Sequence, residues 1–264
     1  MSILQTIILG IVEGLTEFLP ISSTAHIDIA RSLLSIPSSD FTKSFMIIIQ
    51  LGAILAVVTL YARKVFSSWV YIRNLIIAFI PTGIIGFILY KLIKSFLLGN
   101  ILIIAVALLL GGVIILVFEK KMKNNNIDEN LSNGDIKNMT ARQLIILGLA
   151  QALAVIPGIS RSGAVIIAGR SMKINRTLIT EFSFLLAVPT MLLAVLYDIY
   201  KSGFYFSLSE WGTITLGFIV SFVIALIVIK WFLAYIRKYD FKIFGWYRIA
   251  LGLLLILALY FNIL

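Results

Sequence analysis

A short polar segment near the start of the chain carries side chains suited to chemistry. Glu13 and Glu17 are spaced i, i+4, so on a helix their carboxylates project from one face. Two carboxylates placed in this way can share a hard divalent cation or a proton. A helix that simply faces water is the alternative, but the flanking residues are strongly apolar. Ionisable groups are costly in an apolar setting, so the pair indicates function.

Hydroxyl and imidazole groups follow directly on the two glutamates. Ser22, Ser23, Thr24 and His26 place three hydroxyls and the only imidazole of the chain within five positions. A histidine three residues after a serine and downstream of carboxylates suits a general base or a nucleophile, with a structural role as the alternative. Asp28 could orient the imidazole, although an exposed interfacial aspartate fits the pattern equally well.

A second polar loop contains Gly158, Ser160, Arg161, Ser162 and Gly163. An arginine buried by its own loop needs an anion, and glycines and hydroxyls at a helix N-terminus supply donors for phosphate oxygens. An ion pair between this arginine and one of the two glutamates is the alternative. Together the loops predict a phosphate ester held between an acidic, nucleophilic tip and an anion-binding tip.

Other residues add candidates for the lining of this phosphate site and exclude some classes of phosphatase. Gln50 and Glu181, each early in an apolar segment, could line the same cavity or serve helix packing. The chain has no cysteine, which excludes disulfides, thiolate metal sites and cysteine-phosphatase chemistry. Lipid phosphatases that use two histidines are disfavoured, because His26 is the only histidine.

The elements that position these residues are predicted to be membrane helices. Of 264 residues, 61% are hydrophobic and 13% are charged, a balance that a water-soluble surface could not cover with polar groups. Six apolar stretches are long enough to cross about 30 Å of hydrocarbon. They cover residues 44–61, 72–90, 99–118, 178–197, 211–232 and 243–262.

An internal duplication organises the chain. A shift of 138 residues aligns the segment that begins at Gly10 with the one that begins at Gly148, and a shift of 139 aligns segments that end at Lys91 and Lys230. Ordered matches at nearly one offset favour a repeat. The prediction is a single membrane domain, 1–264, divided into repeat one, a hydrophilic connector and repeat two, covering 1–118, 119–142 and 143–264.

Each repeat begins with a short apolar segment, 2–19 or 143–156, that leads into a loop rich in Pro, Ser and Gly. Irregular backbone is tolerated at membrane depth only inside protein or beside a water-filled cavity. The predicted fold class is therefore an all-α integral membrane protein. It consists of two inverted-topology repeats, each a re-entrant helix-loop-helix hairpin plus three transmembrane helices, and the hairpin tips meet near the midplane.

The distribution of charge predicts orientation. The net charge is +10, and fifteen Lys and Arg residues fall on the connector side against five on the other. The positive-inside rule therefore predicts a multi-pass plasma-membrane protein with a cytoplasmic connector and both termini outside. Nucleic-acid binding is not expected, because no basic cluster is interleaved with exposed aromatics. A site within the membrane is expected to bind a lipid whose head group dips inward.

Four segments resemble the undecaprenyl-diphosphate phosphatase family, also known as bacitracin-resistance proteins. They are EGLTEFLPISSTAH from Glu13, QLGAILAVV from Gln50, PGISRSGA from Pro157 and EFSFLLAVP from Glu181. The resemblance spans nearly the whole chain. It implies inverted repeats, dephosphorylation of undecaprenyl diphosphate to the monophosphate in the recycling of the cell-wall lipid carrier, an extracytoplasmic opening, and dependence on a divalent cation, Mg²⁺ or Ca²⁺.

The resemblance also implies individual roles. Glu13 and Glu17 match the catalytic glutamate-rich motif, Ser23 and His26 match the serine and histidine of the following loop, and Arg161 matches the phosphate-binding arginine. We expect Ser23 to attack, His26 to act as base and Arg161 to stabilise the transferring phosphoryl group. Attack by His26 or by water stays open.

Two positions depart from the family pattern. Ala25 stands where Gly is usual, a change expected to stiffen the loop, and Ile159 stands where Thr is frequent, which removes one phosphate donor. Neither change removes a catalytic group.

Transport is the competing prediction. Inverted repeats with broken helices also describe secondary transporters, so the chain could be a lipid-phosphate flippase or a small-anion transporter. A nucleophile, a base and carboxylates in one loop favour the enzyme, because a transporter does not need them. The expected partners are the lipid substrate and the bilayer, and the sequence leaves a homodimer open.

Overall fold

The computed structural model describes residues 1–92, 100–124, 134–202 and 206–261. These residues form ten α-helices and two short 3-10 helices, without a β-strand. The α-helices are α1 (Ile3–Thr16), α2 (Ser23–Leu33), α3 (Asp40–Phe66), α4 (Trp69–Leu92), α5 (Ile101–Asn124), α6 (Ala141–Ala152), α7 (Arg161–Ser171), α8 (Arg176–Ser202), α9 (Leu208–Ile236) and α10 (Lys242–Tyr260). The 3-10 helices are Ile136–Asn138 and Leu153–Val155.

Within the described residues, six helices are long and apolar enough to cross a membrane, namely α3, α4, α5, α8, α9 and α10. The six predicted spans are therefore confirmed as helices of the required length and composition. Helix α3 extends past both ends of its apolar stretch, because polar residues such as Asp40 and Lys64 continue it. Residue 99, the start of the third predicted span, and residue 262, the end of the sixth, lie outside the described residues.

Two pairs of shorter helices, α1 with α2 and α6 with α7, begin the two halves of the chain. Helix α1 starts with a capping box, in which Ser2 and Gln5 each accept the backbone N–H of the other. Helix α6 starts in the same way, with Thr140 and Gln143. Such boxes satisfy backbone donors that have no partner inside the helix. Each helix then ends at a loop that carries predicted site residues.

Close helix packing joins the two halves. Helix α1 packs against α9, α6 against α4, α3 against both α8 and α9, and α5 against α10. Glycines permit the closest approaches. A Cβ at Gly148 would lie 2.0 Å from the carbonyl oxygen of Ala78, and one at Gly52 would lie 2.4 Å from that of Phe218. No side chain fits at either position without moving a helix.

The predicted connector is more ordered at its ends than its composition indicates. Helix α5 continues into it as far as Asn124. Near its other end, the Ile136 carbonyl accepts a hydrogen bond from Asn74 Nδ2 at 2.8 Å, and Asp135 accepts one from Tyr71 Oη at 2.6 Å. These contacts attach the connector to α4. Residues 125–133 lie outside the described residues.

Candidate active site

The two predicted polar loops lie against each other. Glu17 follows the last residue of α1, and Arg161 is the first residue of α7. Arg161 Nη2 donates to Glu17 Oε1 at 2.9 Å, and their side chains are only 12% and 4% exposed. Ser162 Oγ also donates across the loops to the Leu19 carbonyl oxygen at 3.0 Å. The ion pair that the sequence left open is thus present, and it involves Glu17.

The hydroxyl of Ser23 binds the same carboxylate. Ser23 Oγ donates to Glu17 Oε2 at 2.5 Å, a separation typical of a hydroxyl bound to an ionised carboxylate. Glu17 therefore holds a candidate nucleophile with one oxygen and a guanidinium with the other. A carboxylate in this position can accept the hydroxyl proton as the oxygen attacks.

A cavity of about 170 Å³ opens beside these groups. Both loops contribute to its wall, together with α3, α4, α6 and α8. The predicted residues that line it are Glu17, Ser22, Ser23, Thr24, Gln50, Ser160 and Arg161. Residues far apart in sequence thus converge on one concave site rich in polar groups, which is the usual form of a ligand-binding site.

Three predicted residues, Glu13, Ser162 and Gly163, are buried and do not line the cavity. Glu13 is fully buried, and neither of its carboxylate oxygens has a hydrogen-bond partner among the described residues. The Gly163 N–H donates to Ser160 Oγ at 3.1 Å, and the Ser160 and Ser162 hydroxyls lie 3.0 Å apart. Ser162 and Gly163 therefore hold the shape of the second tip and do not line the cavity.

Glu181 and Asp28 do not occupy the places considered for them. The Glu181 carboxylate accepts from Lys64 Nζ at 2.7 Å and does not line the cavity. Thr190, further along α8, lines it instead. At about 1.5 Å rise per residue, Glu181 and Thr190 lie roughly 13 Å apart along the helix axis. The Asp28 carboxylate lies 3.9 Å from Arg31 Nε and does not orient the imidazole.

His26 contacts the first loop and α10. Its Nδ1 lies 2.7 Å from the Ser22 carbonyl oxygen, and its Nε2 lies 2.7 Å from Tyr247 Oη. Since a carbonyl oxygen can only accept, Nδ1 carries a proton, and the neutral ring then accepts from Tyr247 at Nε2. Ser22 has φ +72°, a conformation that costs about 1–3 kcal/mol outside glycine. His26 thus stabilises a strained turn beside Ser23 and forms no hydrogen bond with Ser23 itself.

Three polar residues of the cavity were missed by the sequence analysis. Gln151 Nε2 donates to Thr82 Oγ1 at 3.1 Å and to Thr190 Oγ1 at 2.8 Å. Both hydroxyls donate to backbone carbonyls, so they can only accept from the amide, and Gln151 Oε1 is left without a partner in the described part of the chain. The 138-residue shift aligns Gln151 with Glu13, a signal that could have identified it.

Arg248 on α10 was also missed. Its side chain is almost fully buried, and its guanidinium donates to the backbone carbonyls of Pro20, Ala107, Leu108 and Gly158. Pro20 belongs to the first loop, and Gly158 belongs to the second, where its φ is +93°. One side chain therefore joins both tips to α5. An arginine inside an apolar span was the signal available in the sequence.

Comparison with known proteins places the chain in a family. Residues 6–254 match the family described as bacitracin resistance protein BacA. The chain is 51% identical over 249 residues to the Undecaprenyl-diphosphatase of Aquifex aeolicus, covering 94% of this chain and 95% of that protein. Proteins of the same name from Sulfurihydrogenibium sp. and Methanococcus aeolicus are 47% and 43% identical, over 96% and 97% of this chain and 98% of each relative. The chain belongs to the bacitracin resistance protein BacA family, which confirms the resemblance seen in its motifs.

Proposed function

We propose that this protein hydrolyses undecaprenyl diphosphate to the monophosphate and inorganic phosphate, and so recycles the lipid carrier for cell-wall synthesis. The observation that carries the proposal is Glu17, which binds the Ser23 hydroxyl and the Arg161 guanidinium in one cavity. The relatives that match over nearly their whole length are named for this activity. The six long apolar helices suit an enzyme that takes its substrate from the bilayer.

The reaction proceeds in two steps. Glu17 Oε2 takes the proton of Ser23 as its Oγ bonds to the terminal phosphorus, and the bond from phosphorus to the bridging oxygen breaks to release the lipid monophosphate. Arg161 then binds the phosphoryl oxygens on which charge develops. In the second step water attacks the phosphoserine, Ser23 recovers its proton from Glu17, and dihydrogen phosphate leaves.

The role of base is assigned to Glu17, although the spacing of the sequence favours His26. Both ring nitrogens of His26 are engaged, by the Ser22 carbonyl and by Tyr247, whereas Glu17 contacts the Ser23 hydroxyl directly. His26 therefore acts as a positioning residue for the loop. Attack by His26 would require it to leave both partners.

Glu13 and Glu17 are the residues that we propose to hold a divalent cation, Mg²⁺ or Ca²⁺. They lie one helical turn apart, and both oxygens of Glu13 are buried without a hydrogen-bond partner among the residues that the structure describes, so the donor set fits a hard cation. The described residues contain no group of three or more His, Cys, Asp or Glu that could complete a metal site. Substrate phosphate oxygens and water would complete the shell, and the ion would neutralise phosphate charge.

The two halves are proposed to be inverted repeats whose re-entrant hairpins carry the site. The capping boxes of α1 and α6 support this, because Ser2 and Thr140 are related by the same 138-residue shift as the loops. The packing also supports it. Helix α1 of the first half packs against α9 of the second, and their counterparts α6 and α4 pack in the reciprocal arrangement.

The excess of basic residues supports a cytoplasmic connector, with both termini and the cavity opening on the extracytoplasmic side. Since the chain has no cysteine, single introduced cysteines report sidedness without background. A cysteine replacing the exposed Lys137 is expected to react with a membrane-impermeant maleimide only after spheroplasts are permeabilised, whereas one replacing the exposed Ser38 reacts in intact spheroplasts. The opposite pattern would reverse the proposed orientation.

Release of inorganic phosphate tests the proposed activity. Purified protein in detergent with Mg²⁺ or Ca²⁺ is expected to release phosphate from farnesyl and undecaprenyl diphosphate, and a chelator is expected to suppress the release. Glu17→Gln is expected to release no more than background, because it cannot accept the Ser23 proton. If folded wild-type protein released no phosphate from either substrate, hydrolysis would be rejected and transport of a lipid phosphate or anion favoured.

The contacts of Arg248 predict that it positions both tips. Arg248→Gln is expected to lower kcat/KM by about ten- to a hundredfold, since small misplacements of reacting groups are costly. Gly111→Ala is expected to act in the same direction, because its Cβ would lie 2.1 Å from Arg248 Nη2. Gly86→Ala is the matched control, since a Cβ there meets nothing within 4 Å in the described part of the chain. Full activity in both test variants would show that this arginine does not position the site.

A further inference from the structure

A buried amide lies in the wall of the catalytic cavity. Gln151 stands near the end of α6, its side chain is almost fully buried, and it lines the cavity together with Ser23 and Arg161. Polar side chains are retained in such places when their donors and acceptors find partners. The partners of this amide therefore indicate which kind of ligand it is built to meet.

Two threonines fix the orientation of the amide. Gln151 Nε2 donates one hydrogen to Thr82 Oγ1 at 3.1 Å and the other to Thr190 Oγ1 at 2.8 Å. The two hydroxyls donate their own protons to the backbone carbonyls of Gly148 and Leu186. Because neither hydroxyl has a hydrogen left for Gln151, a flipped amide would place its oxygen against two oxygens without a hydrogen bond. The carbonyl oxygen is thus held away from both threonines.

That carbonyl oxygen lacks a donor in the described part of the chain. Gln151 Oε1 is buried and accepts no hydrogen bond from any described residue, although its side chain lines the cavity. A buried acceptor without a donor is costly, so a ligand that supplies one is favoured there. Ionised phosphate oxygens are themselves acceptors and cannot fill this role. The ligand that suits Gln151 Oε1 is a donor such as water.

The Glu17 carboxylate is already occupied when water is needed. One of its oxygens accepts from Arg161 at 2.9 Å, and the other accepts from Ser23 Oγ at 2.5 Å. In the first step of the proposed reaction the second oxygen receives the serine proton, and in the second step it returns that proton to Ser23. Since Glu17 acts as the acid while water attacks, a different acceptor has to orient the water.

The small size of the cavity brings such a water close to the amide. Its volume is about 170 Å³, whereas liquid water takes about 30 Å³ per molecule. A phosphoryl group on Ser23 therefore leaves room for only a few waters. Attack in line with the breaking bond comes from the side of the phosphorus away from Ser23. Gln151 belongs to the wall formed by α4, α6 and α8, and Ser23 belongs to the wall formed by the first loop.

We propose that Gln151 is a further catalytic residue, whose Oε1 accepts a hydrogen bond from the water that hydrolyses the phosphoserine. The inference rests on the proposed phosphatase function and its covalent intermediate. The water oxygen bonds to phosphorus as the bond from phosphorus to Ser23 Oγ breaks, and Oγ takes back its proton from Glu17. Both hydrogens of the water leave on the phosphate. The amide takes no proton and acts by orienting the water.

Removing this acceptor is expected to slow the second step alone. Gln151→Met keeps the length of the side chain, and both threonine hydroxyls keep their bonds to the backbone, so no buried donor loses its partner. We expect kcat for phosphate release from farnesyl diphosphate to fall by about 10- to 100-fold. KM is expected to fall in proportion, so that kcat/KM, which reports the first chemical step, stays within about threefold of wild type.

The amount of phosphorylated enzyme is the second readout. In reactions quenched at steady state with substrate labelled in its terminal phosphate, Gln151→Met is expected to carry at least about fivefold more label than wild type. Thr190→Val removes one of the two acceptors that fix the amide, and is expected to shift both readouts in the same direction by a smaller factor. Gln143→Met makes the same exchange near the start of α6, outside the cavity, and is expected to match wild type.

Four outcomes would reject the proposal. Wild-type kcat and label in folded Gln151→Met would show that the water does not depend on the amide. A parallel fall of kcat and kcat/KM without added label would place Gln151 in the first step or in the fold. A higher Mg²⁺ requirement without added label would make it a cation ligand. Phosphate release by wild-type protein that never carries label would leave no phosphoserine to hydrolyse. If wild-type protein instead releases no phosphate at all, the phosphatase function itself fails.

Discussion

Replacing Arg161 by methionine is expected to lower kcat/KM for phosphate release by on the order of 10³-fold or more, as found where an arginine stabilises a transferring phosphoryl group. Among the described residues, Arg161 is the cationic side chain that lines the cavity, and its Nη2 lies 2.9 Å from Glu17 Oε1. Without it the developing charge on the phosphoryl oxygens has no guanidinium partner. The measurement is the initial rate of phosphate release from undecaprenyl diphosphate by purified protein.

Stability must be separated from catalysis in this experiment. The methionine variant leaves the Glu17 carboxylate buried without its partner, which costs about 3–5 kcal/mol where a buried pair is broken. Arg161→Lys keeps the charge but loses the planar fork, so it is expected to fold and to remain well below wild-type activity. Arg63→Met removes a guanidinium from an exposed position of α3 and is expected to be fully active. Wild-type turnover by folded Arg161→Met would remove the arginine from the mechanism.

Ser23→Ala is expected to lower kcat by about 10²- to 10⁴-fold, the range for loss of a positioned group in covalent or acid–base catalysis. The Ser23 hydroxyl is the one held by Glu17, at 2.5 Å. Ser171→Ala is the matched control, because that hydroxyl donates to the backbone of its own helix and lies outside the cavity. Near wild-type turnover by Ser23→Ala would leave water or His26 as the nucleophile.

Trapping the intermediate distinguishes these three nucleophiles. When substrate labelled in its terminal phosphate is mixed with enzyme and quenched, acid-stable label on the wild-type chain is expected, as from phosphoserine. The label is expected to be absent in Ser23→Ala and present in His26→Ala. Acid-labile label that disappears in His26→Ala would instead indicate phosphohistidine, and the absence of any label would favour direct attack by water.

Residue type and spacing were sufficient to single out the polar groups that the structure brings together. Glu17, Ser23 and Arg161 stand out because charged and hydroxyl side chains are rare in apolar segments and costly there. The six spans could also be predicted, because their length is imposed by the thickness of the hydrocarbon layer. Polar side chains in an apolar segment and the length of a membrane-spanning helix can both be recognised within a short stretch of sequence.

Contacts between distant helices could not be predicted in the same way. Arg248 reaches both loops only because α10 packs on α5 and Gly111 leaves room for its guanidinium. Gln151 enters the cavity because glycine at position 148 lets α6 approach α4. The periodicity of an apolar helix does not say which neighbour each face meets, since lipid and protein interior favour the same residues. The expectation that His26 is the base followed from its spacing from Ser23, whereas the Ser23 hydroxyl donates to Glu17 and both ring nitrogens of His26 contact other groups.

The central claim is that the acidic tip and the arginine-bearing tip form one catalytic site. A double-mutant cycle on kcat/KM tests it, with the conservative variants Glu17→Asp and Arg161→Lys chosen so that activity stays measurable. Groups that act as a unit give strongly non-additive effects. We predict that the double variant loses far less than the product of the two single losses. Two losses that simply multiply would mean that Glu17 and Arg161 act independently, and would contradict a shared site.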